Sequence, residues 1–135
     1  YIEGAAAEDP SKFTIRLEFI PEDEEPFYFG AADIFFMPFE SITTSGSIMH
    51  AISYGKPIIS TPKGNLKDLV REGENGYLCQ TRKEMVDRIT SIDSSHQMEE
   101  MGKRSLELAR SFDWDRASER TMEVYRSIKD ELYHL

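Results

Sequence analysis

One cysteine, Cys79, occurs among the 135 residues, so no disulfide can form within the chain. A cross-linked framework is thereby excluded, and a reducing compartment suits the chain. The neighbours Tyr77, Leu78 and Gln80 read as a strand, which makes Cys79 an inert core residue. Basic residues are also scarce. The 16 Lys and Arg stand against 25 Asp and Glu, for a net charge of −9. No basic stripe offsets that excess, which excludes general nucleic-acid binding. No apolar run approaches the roughly 18 residues of a membrane-spanning helix. No signal-peptide pattern opens the chain, while Tyr1 in place of a methionine leads us to expect that the native start lies upstream. The expected location is cytoplasmic, with a peripheral attachment of a longer parent to a membrane left open. The three histidines, His50, His96 and His134, show no metal-ligand spacing, so neither a metal nor a cofactor is expected.

What is present is an alternation of short strands and helices. Residues 1–12 read as a linker or frayed start. Phe13, Ile15, Leu17 and Phe19 recur at period two, predicting a half-buried strand over residues 13–20. Pro21 stops it, and Glu22, Asp23, Glu24 and Glu25 open a short helix to Ala32 as a solvated acidic turn, with Pro26 near the start where a missing N–H costs little. Strands are predicted at 33–37, 57–60 and 77–80, with helices at 46–54 and 66–72, the latter closed by Gly73. Beyond residue 80 three helices follow, at about 82–92, 95–111 and 115–133. Thr81 and Glu84 form a capping-box pair for the first, Ser94 or Ser95 caps the second, and Asp113 or Asp115 starts the third. Leu106, Ala109, Phe112 and Trp114 on one side, and Met122, Tyr125, Ile128 and Leu132 on another, recur at helical spacing and read as packing faces. The expected architecture is α/β: an open parallel Rossmann-like sheet flanked by helices, with a helical C-terminal segment. Four strands are few for a sheet buried on both faces, so residues 1–135 are expected to form one incomplete domain.

The most informative stretch runs from Ala32 to Pro62, because its order is strand, loop, helix, strand. In such a unit the loop after the first strand delivers a helix N-terminus, whose free N–H groups and dipole favour an anion. Thr43, Thr44, Ser45, Gly46 and Ser47 place small hydroxyl residues and a glycine there. A phosphate-bearing ligand is the expected occupant.

Five segments in order then match a family. They are Ala31 to Pro38, Gly55-Lys56-Pro57 with Ile58 to Thr61, Gly64 to Val70, Gly73-Glu74-Asn75-Gly76 with Tyr77 and Leu78, and Phe112-Asp113-Trp114-Asp115 leading into a helix with Tyr125. Together they resemble the C-terminal, donor-binding domain of retaining GT-B glycosyltransferases of the family 4-like type, also known as glycosyl transferases group 1. The likeness covers about residues 13 to 130. It implies transfer of a sugar from a nucleotide-diphospho-sugar to an acceptor hydroxyl with retention, and a hexosyltransferase as the parent enzyme. By the same resemblance, Thr44, Ser45, Gly46 and Ser47 hold the donor diphosphate, with Thr43 beside them. The family's basic residues for the leaving group, and the acceptor domain, are expected in a preceding part of the protein. The isolated chain is accordingly expected to be inactive.

One departure stands out. The family carries a pair of glutamates, the second on the helix against the nucleotide ribose; here those positions hold Ile42 and His50. Glu40 is the nearest carboxylate. It either acts at the reacting sugar as the catalytic candidate or caps a local turn. His50 either bonds a ribose hydroxyl through a ring nitrogen or sits on the helix surface or in the core. Lys63, in the loop after the next strand, is a candidate phosphate contact, and Lys56 reads as structural or, alternatively, as a ligand contact. His96 and His134 read as exposed. The missing acid pair also supports an alternative, a noncatalytic GT-B-like nucleotide-binding or scaffold domain. A response-regulator or flavodoxin-like module is disfavoured, since neither an acidic phosphoacceptor cluster nor a flavin-type phosphate loop opens the chain.

Overall fold

The computed structural model describes residues 4, 8–92 and 95–133. Along the described residues run α1 (Glu25–Ala31), β1 (Phe35–Met37), α2 (Gly46–Ser53), β2 (Ile58–Ser60), α3 (Leu66–Leu69), β3 (Gly76–Leu78), α4 (Arg82–Ser91), α5 (Ser95–Arg110) and α6 (Trp114–Tyr133). The three strands form a parallel sheet in the order β1-β2-β3. In register, Phe35, Ile58 and Gly76 form one row, Phe36, Ile59 and Tyr77 the next, and Met37, Ser60 and Leu78 the third.

Because side chains alternate across a strand, the rows divide the core in two. Ile58 faces a cluster with Ile48, Ala51 and Ile52 of α2, Leu66 and Leu69 of α3, and Leu108 of α5, against which Phe35 and Met37 also pack. Ile59 faces the second cluster, with Tyr77, Cys79, Met85 of α4 and Met101 of α5. β2 is buried on both faces, as expected for the centre of a parallel sheet. Burial pushes the Cys79 thiol above its ordinary value, with Glu72 and Glu84 adding to the effect, and this suits an inert core residue.

Local chemistry explains the boundaries. Thr81 Oγ1 accepts from the Glu84 N–H at 3.2 Å and so caps α4. The Glu84 carboxylate accepts from the Gln80 N–H at 2.8 Å, one residue earlier than in a standard capping box. Asp113 Oδ1 accepts from the Asp115 N–H at 3.2 Å where α6 begins. At the α2–α5 crossing, Gly55 has φ 66° and its carbonyl oxygen lies where a Cβ on Gly102 would go. The two backbones meet there without side chains between them.

Several expectations need correction. Residues 13–20 form no strand, and Leu17 and Phe19 are 83% and 85% exposed. The outer edge of β1 is unpaired among the described residues, yet this segment does not join it. Arg16 instead ties it to α1 through Glu24, at 2.8 Å, and through the Tyr28 hydroxyl. Among the described residues three strands result rather than four. The helix expected over 66–72 stops at Leu69, because Asn75 takes over the backbone beyond it. Asn75 Nδ2 donates to the Leu69 carbonyl at 3.0 Å, and its Oδ1 accepts from the Arg71 N–H at 2.7 Å. Gly73 lies in the following turn rather than at the helix end, with φ 75°. Lys56 donates to the Ala32 carbonyl at 2.9 Å on the edge of the sheet where its strands begin, which makes it an anchor.

The predicted packing faces are only partly covered. Ala109 packs against the first cluster, whereas Leu106 and Phe112 are exposed and Trp114 is 87% exposed. On α6, Met122, Tyr125 and Ile128 are exposed as well. Leu132, His134 and the Ser94 or Ser95 cap fall on residues or side chains outside those described, as does most of the start at 1–7. His96 is exposed, as expected.

Two stability tests follow from this packing. Replacing the fully buried Asn75 by Ala strands the Arg71 N–H and the Leu69 carbonyl, and is expected to cost about 2–3 kcal/mol in urea unfolding. Gly102→Ala drives a methyl into the Gly55 carbonyl, for an expected loss of about 1–3 kcal/mol by the same measurement.

Candidate functional site

The candidate residues gather at the edge of the sheet where its strands end, the usual ligand edge of an open parallel sheet. Two hydroxyls pin the loop that carries them. Ser60 Oγ donates to the Met37 carbonyl at 2.6 Å, and Thr61 Oγ1 donates to the Phe39 carbonyl at 2.7 Å. The Asn65 N–H then donates to the Thr43 carbonyl at 3.0 Å. Gly64, with φ 54°, presses against Ile42 and Thr43 so closely that a Cβ would overlap both carbonyl oxygens. The loop bearing Lys63 is thereby held against the loop bearing Thr43. Asn65 Oδ1 is buried in this seam with no hydrogen-bond partner among the described residues.

Ser45 is the hinge between loop and helix. It is extended, with φ −133° and ψ 111°, and its Oγ accepts from the Ile48 N–H at 3.2 Å. The residue is buried, so its hydroxyl serves the helix cap and is not presented to a ligand. The cap satisfies one of the orphan donors of the first turn, and Met49 N–H donates to the Ser45 carbonyl at 3.3 Å. The N–H groups of Gly46 and Ser47 have no hydrogen-bond partner among the described residues. Both residues are exposed, and no atom lies within 4 Å of where a Gly46 Cβ would stand. Two donors at the positive end of a helix dipole thus face open space.

The remaining candidates differ in how far the fold gathers them. Thr43 and Thr44 are exposed on the pinned loop, and Glu40 is exposed near its start. Lys63 is exposed on the facing loop. His50 lies one turn further along α2, with its side chain 59% exposed and its Nδ1 3.2 Å from Glu25 Oε2 of α1. Phe29 and Tyr54 stack at 4.5 Å between centroids and meet the imidazole edge-on. His50 is therefore a surface residue with an ordered ring rather than a core residue. The Glu25 contact was not legible in the sequence, where that carboxylate belonged to a solvated acidic run. A pairing 25 positions apart leaves no periodic signal.

No group of three or more His, Cys, Asp and Glu among the described residues could hold a metal ion. This edge presents the open N–H groups of Gly46 and Ser47, with Lys63 on the facing loop and His50 further along α2. A hollow of about 430 Å³ lies at the opposite edge, lined by Arg71, Asn75 and Arg104 among others. Its arginines are engaged by Glu74 at 3.6 Å and Glu107 at 2.8 Å. Among the described residues no helix is long and apolar enough to cross a membrane.

Comparison with known proteins bears on the fold and the family. Spore coat protein SA of Bacillus subtilis is 28% identical over 128 residues, which is 90% of this chain and 33% of that protein. A D-inositol 3-phosphate glycosyltransferase of Streptomyces griseus is 32% identical over 101 residues, 73% of this chain and 21% of the enzyme. The chain thus spans a third or less of the length of these relatives. The solved structure of sucrose-phosphate synthase from Thermosynechococcus elongatus superposes with a TM-score of 0.76 over 96% of this chain and 34% of the other, at 21% identity. That likeness is one of fold, and the open parallel sheet with flanking helices is that of a GT-B C-terminal domain. The family model for glycosyl transferases group 1 matches residues 4–94, more than half of the sequence, and the chain belongs to that family.

Proposed function

We propose that this chain is the donor-binding part of a retaining glycosyltransferase that uses a nucleotide-diphospho-sugar. The observation that carries the reading is the pair of unpartnered N–H groups at Gly46 and Ser47, open to solvent at the ligand edge of the sheet. The donor diphosphate would lie over them, along the loop from Thr43 to Ser47. As the anomeric carbon–oxygen bond breaks, negative charge grows on the leaving nucleoside diphosphate. Preorganised N–H donors stabilise that charge without reorganising at the moment of reaction. Lys63 is assigned to a phosphate oxygen and His50 to a ribose hydroxyl. Glu40 is assigned to the sugar side of the site, where a carboxylate stabilises positive charge near the anomeric carbon.

The acceptor, and the basic side chains that assist the leaving group, are assigned to a separate domain of the same protein. The fraction of each relative that the chain covers supports this division. A second reading is favoured by Ile42 and His50, which stand where the family carries paired glutamates. In it the chain binds nucleotide, or scaffolds a partner, without catalysis. One relative bears the name of a coat protein rather than of an enzyme.

Calorimetric titration with UDP, GDP, ADP and inorganic diphosphate tests the donor reading, with saturable binding of one nucleoside diphosphate expected. Silence from all of them in the full-length protein favours the scaffold. The position of the diphosphate is tested by Gly46→Val, whose Cβ has no atom within 4 Å, and the variant is expected to abolish binding while the far-UV circular dichroism is retained. Unchanged affinity in that folded variant removes the assignment. His50→Ala is expected to weaken binding by about 1 kcal/mol, the worth of one hydrogen bond, in the same titration.

A further inference from the structure

We infer that Asn75 and Gly76 form a guarded deamidation site: the fold demands both residues, and the turn between α3 and β3 keeps the pair unreactive until that turn opens. The inference is independent of what the ligand edge binds.

The chain has two asparagines, Asn65 and Asn75, followed by Leu66 and Gly76. An asparagine carboxamide is open to attack by the backbone nitrogen of the next residue. At this site the Gly76 nitrogen loses its proton to solvent base and bonds to Asn75 Cγ. The Cγ–Nδ2 bond breaks, and the amide nitrogen takes up a proton and leaves as ammonia. Water then opens the cyclic imide at either carbonyl, giving aspartate or isoaspartate. Glycine has no Cβ to hinder the attack, whereas Leu66 carries a branched side chain.

Packing requires each member of the pair for a separate reason. Asn75 ends α3, donating from Nδ2 to the Leu69 carbonyl at 3.0 Å and accepting at Oδ1 from the Arg71 N–H at 2.7 Å. Gly76 lies beside Ile58 in the sheet, and the Ile58 carbonyl oxygen stands where a Cβ on residue 76 would go. A labile dipeptide is therefore built into the start of β3.

The same contacts protect it. Asn75 is 1% exposed, and both ends of its carboxamide are held by residues that precede it, so Cγ is not free to swing onto the Gly76 nitrogen. Gly76 is bridged to Glu72, and its carbonyl accepts from the Gly73 N–H at 2.9 Å. Reaction requires this turn to open, so its rate in the folded chain follows the population of the opened turn. The product does not fit back. A carboxylate at position 75 has no donor for the Leu69 carbonyl and carries charge into a buried place. Isoaspartate inserts one extra backbone atom just before β3, against the register with β2.

Peptide mass spectrometry after incubation at mildly alkaline pH, in the folded state and in unfolding urea, reads the conversion. In urea, Asn75 is expected to convert at least about tenfold faster than Asn65, and at least about tenfold faster than Asn75 in the folded chain. Gly73 has φ 75° and no atom within 4 Å of where its Cβ would stand, so Gly73→Ala strains the turn without touching Asn75. That variant is expected to convert about threefold or more faster while folded. Equal rates at the two asparagines in urea overturn the lability, and equal rates at Asn75 in the folded and unfolded chain overturn the guard. An unchanged rate in a folded Gly73→Ala variant overturns opening of this turn as the route. Deamidated chain, separated by its added negative charge, is expected to unfold at lower urea; an unchanged midpoint overturns the damage assigned to the product.

Discussion

The site depends on two hydroxyl groups at the end of a fully buried strand. β2 is only three residues long, and the ladder it shares with β1 ends at Met37 and Ser60. Beyond that point Thr61 supplies a donor for the Phe39 carbonyl, and Ser60 adds a second to the Met37 carbonyl, which also accepts from the Phe39 N–H at 3.1 Å. Side chains thus extend the pairing of the two segments past the last row of the sheet. The loop to α2 leaves from a fixed point, and Gly64 and Asn65 press on it from the far side. Everything proposed for the helix start follows from where this seam sets Ser45.

The electrostatics of the site are those of backbone, not of side chains. The chain carries a net charge of −9, and Lys63 is the one basic candidate assigned to the phosphates. Partial charges at a helix start are short in range and strongest where water is excluded. An exposed pair of N–H groups therefore binds an anion weakly until a cover lowers the local dielectric. In this chain the edge is open, so under the donor-site proposal such a cover is assigned to a separate domain.

The sequence was most legible where local chemistry coincides with burial. α2, β2, α4 and α5 fall within one or two residues of where proline, glycine and capping residues put them. The loop that bears Thr43 to Ser47 was legible for the same reason. The fate of residues 13–20 and the packing of α6 were not, since periodicity reports that a face is apolar and is silent on what covers it. Asn75 was invisible as a helix terminator because its effect runs through a folded turn. Glu25 and His50 meet only after α1 packs beside α2. Of the site, the backbone part could be read from residue types in order, whereas the part that depends on which helices become neighbours could not.

The crossing of Gly55 with Gly102 acts as a clamp. α2 is eight residues long, roughly 12 Å, and its far end rests backbone on backbone against α5. A body that short has few degrees of freedom of its own: the Ser45 cap holds one end, and the glycine contact holds the turn two residues past the other. The residue that keeps this second hold close, Gly102, belongs to a helix far along the chain.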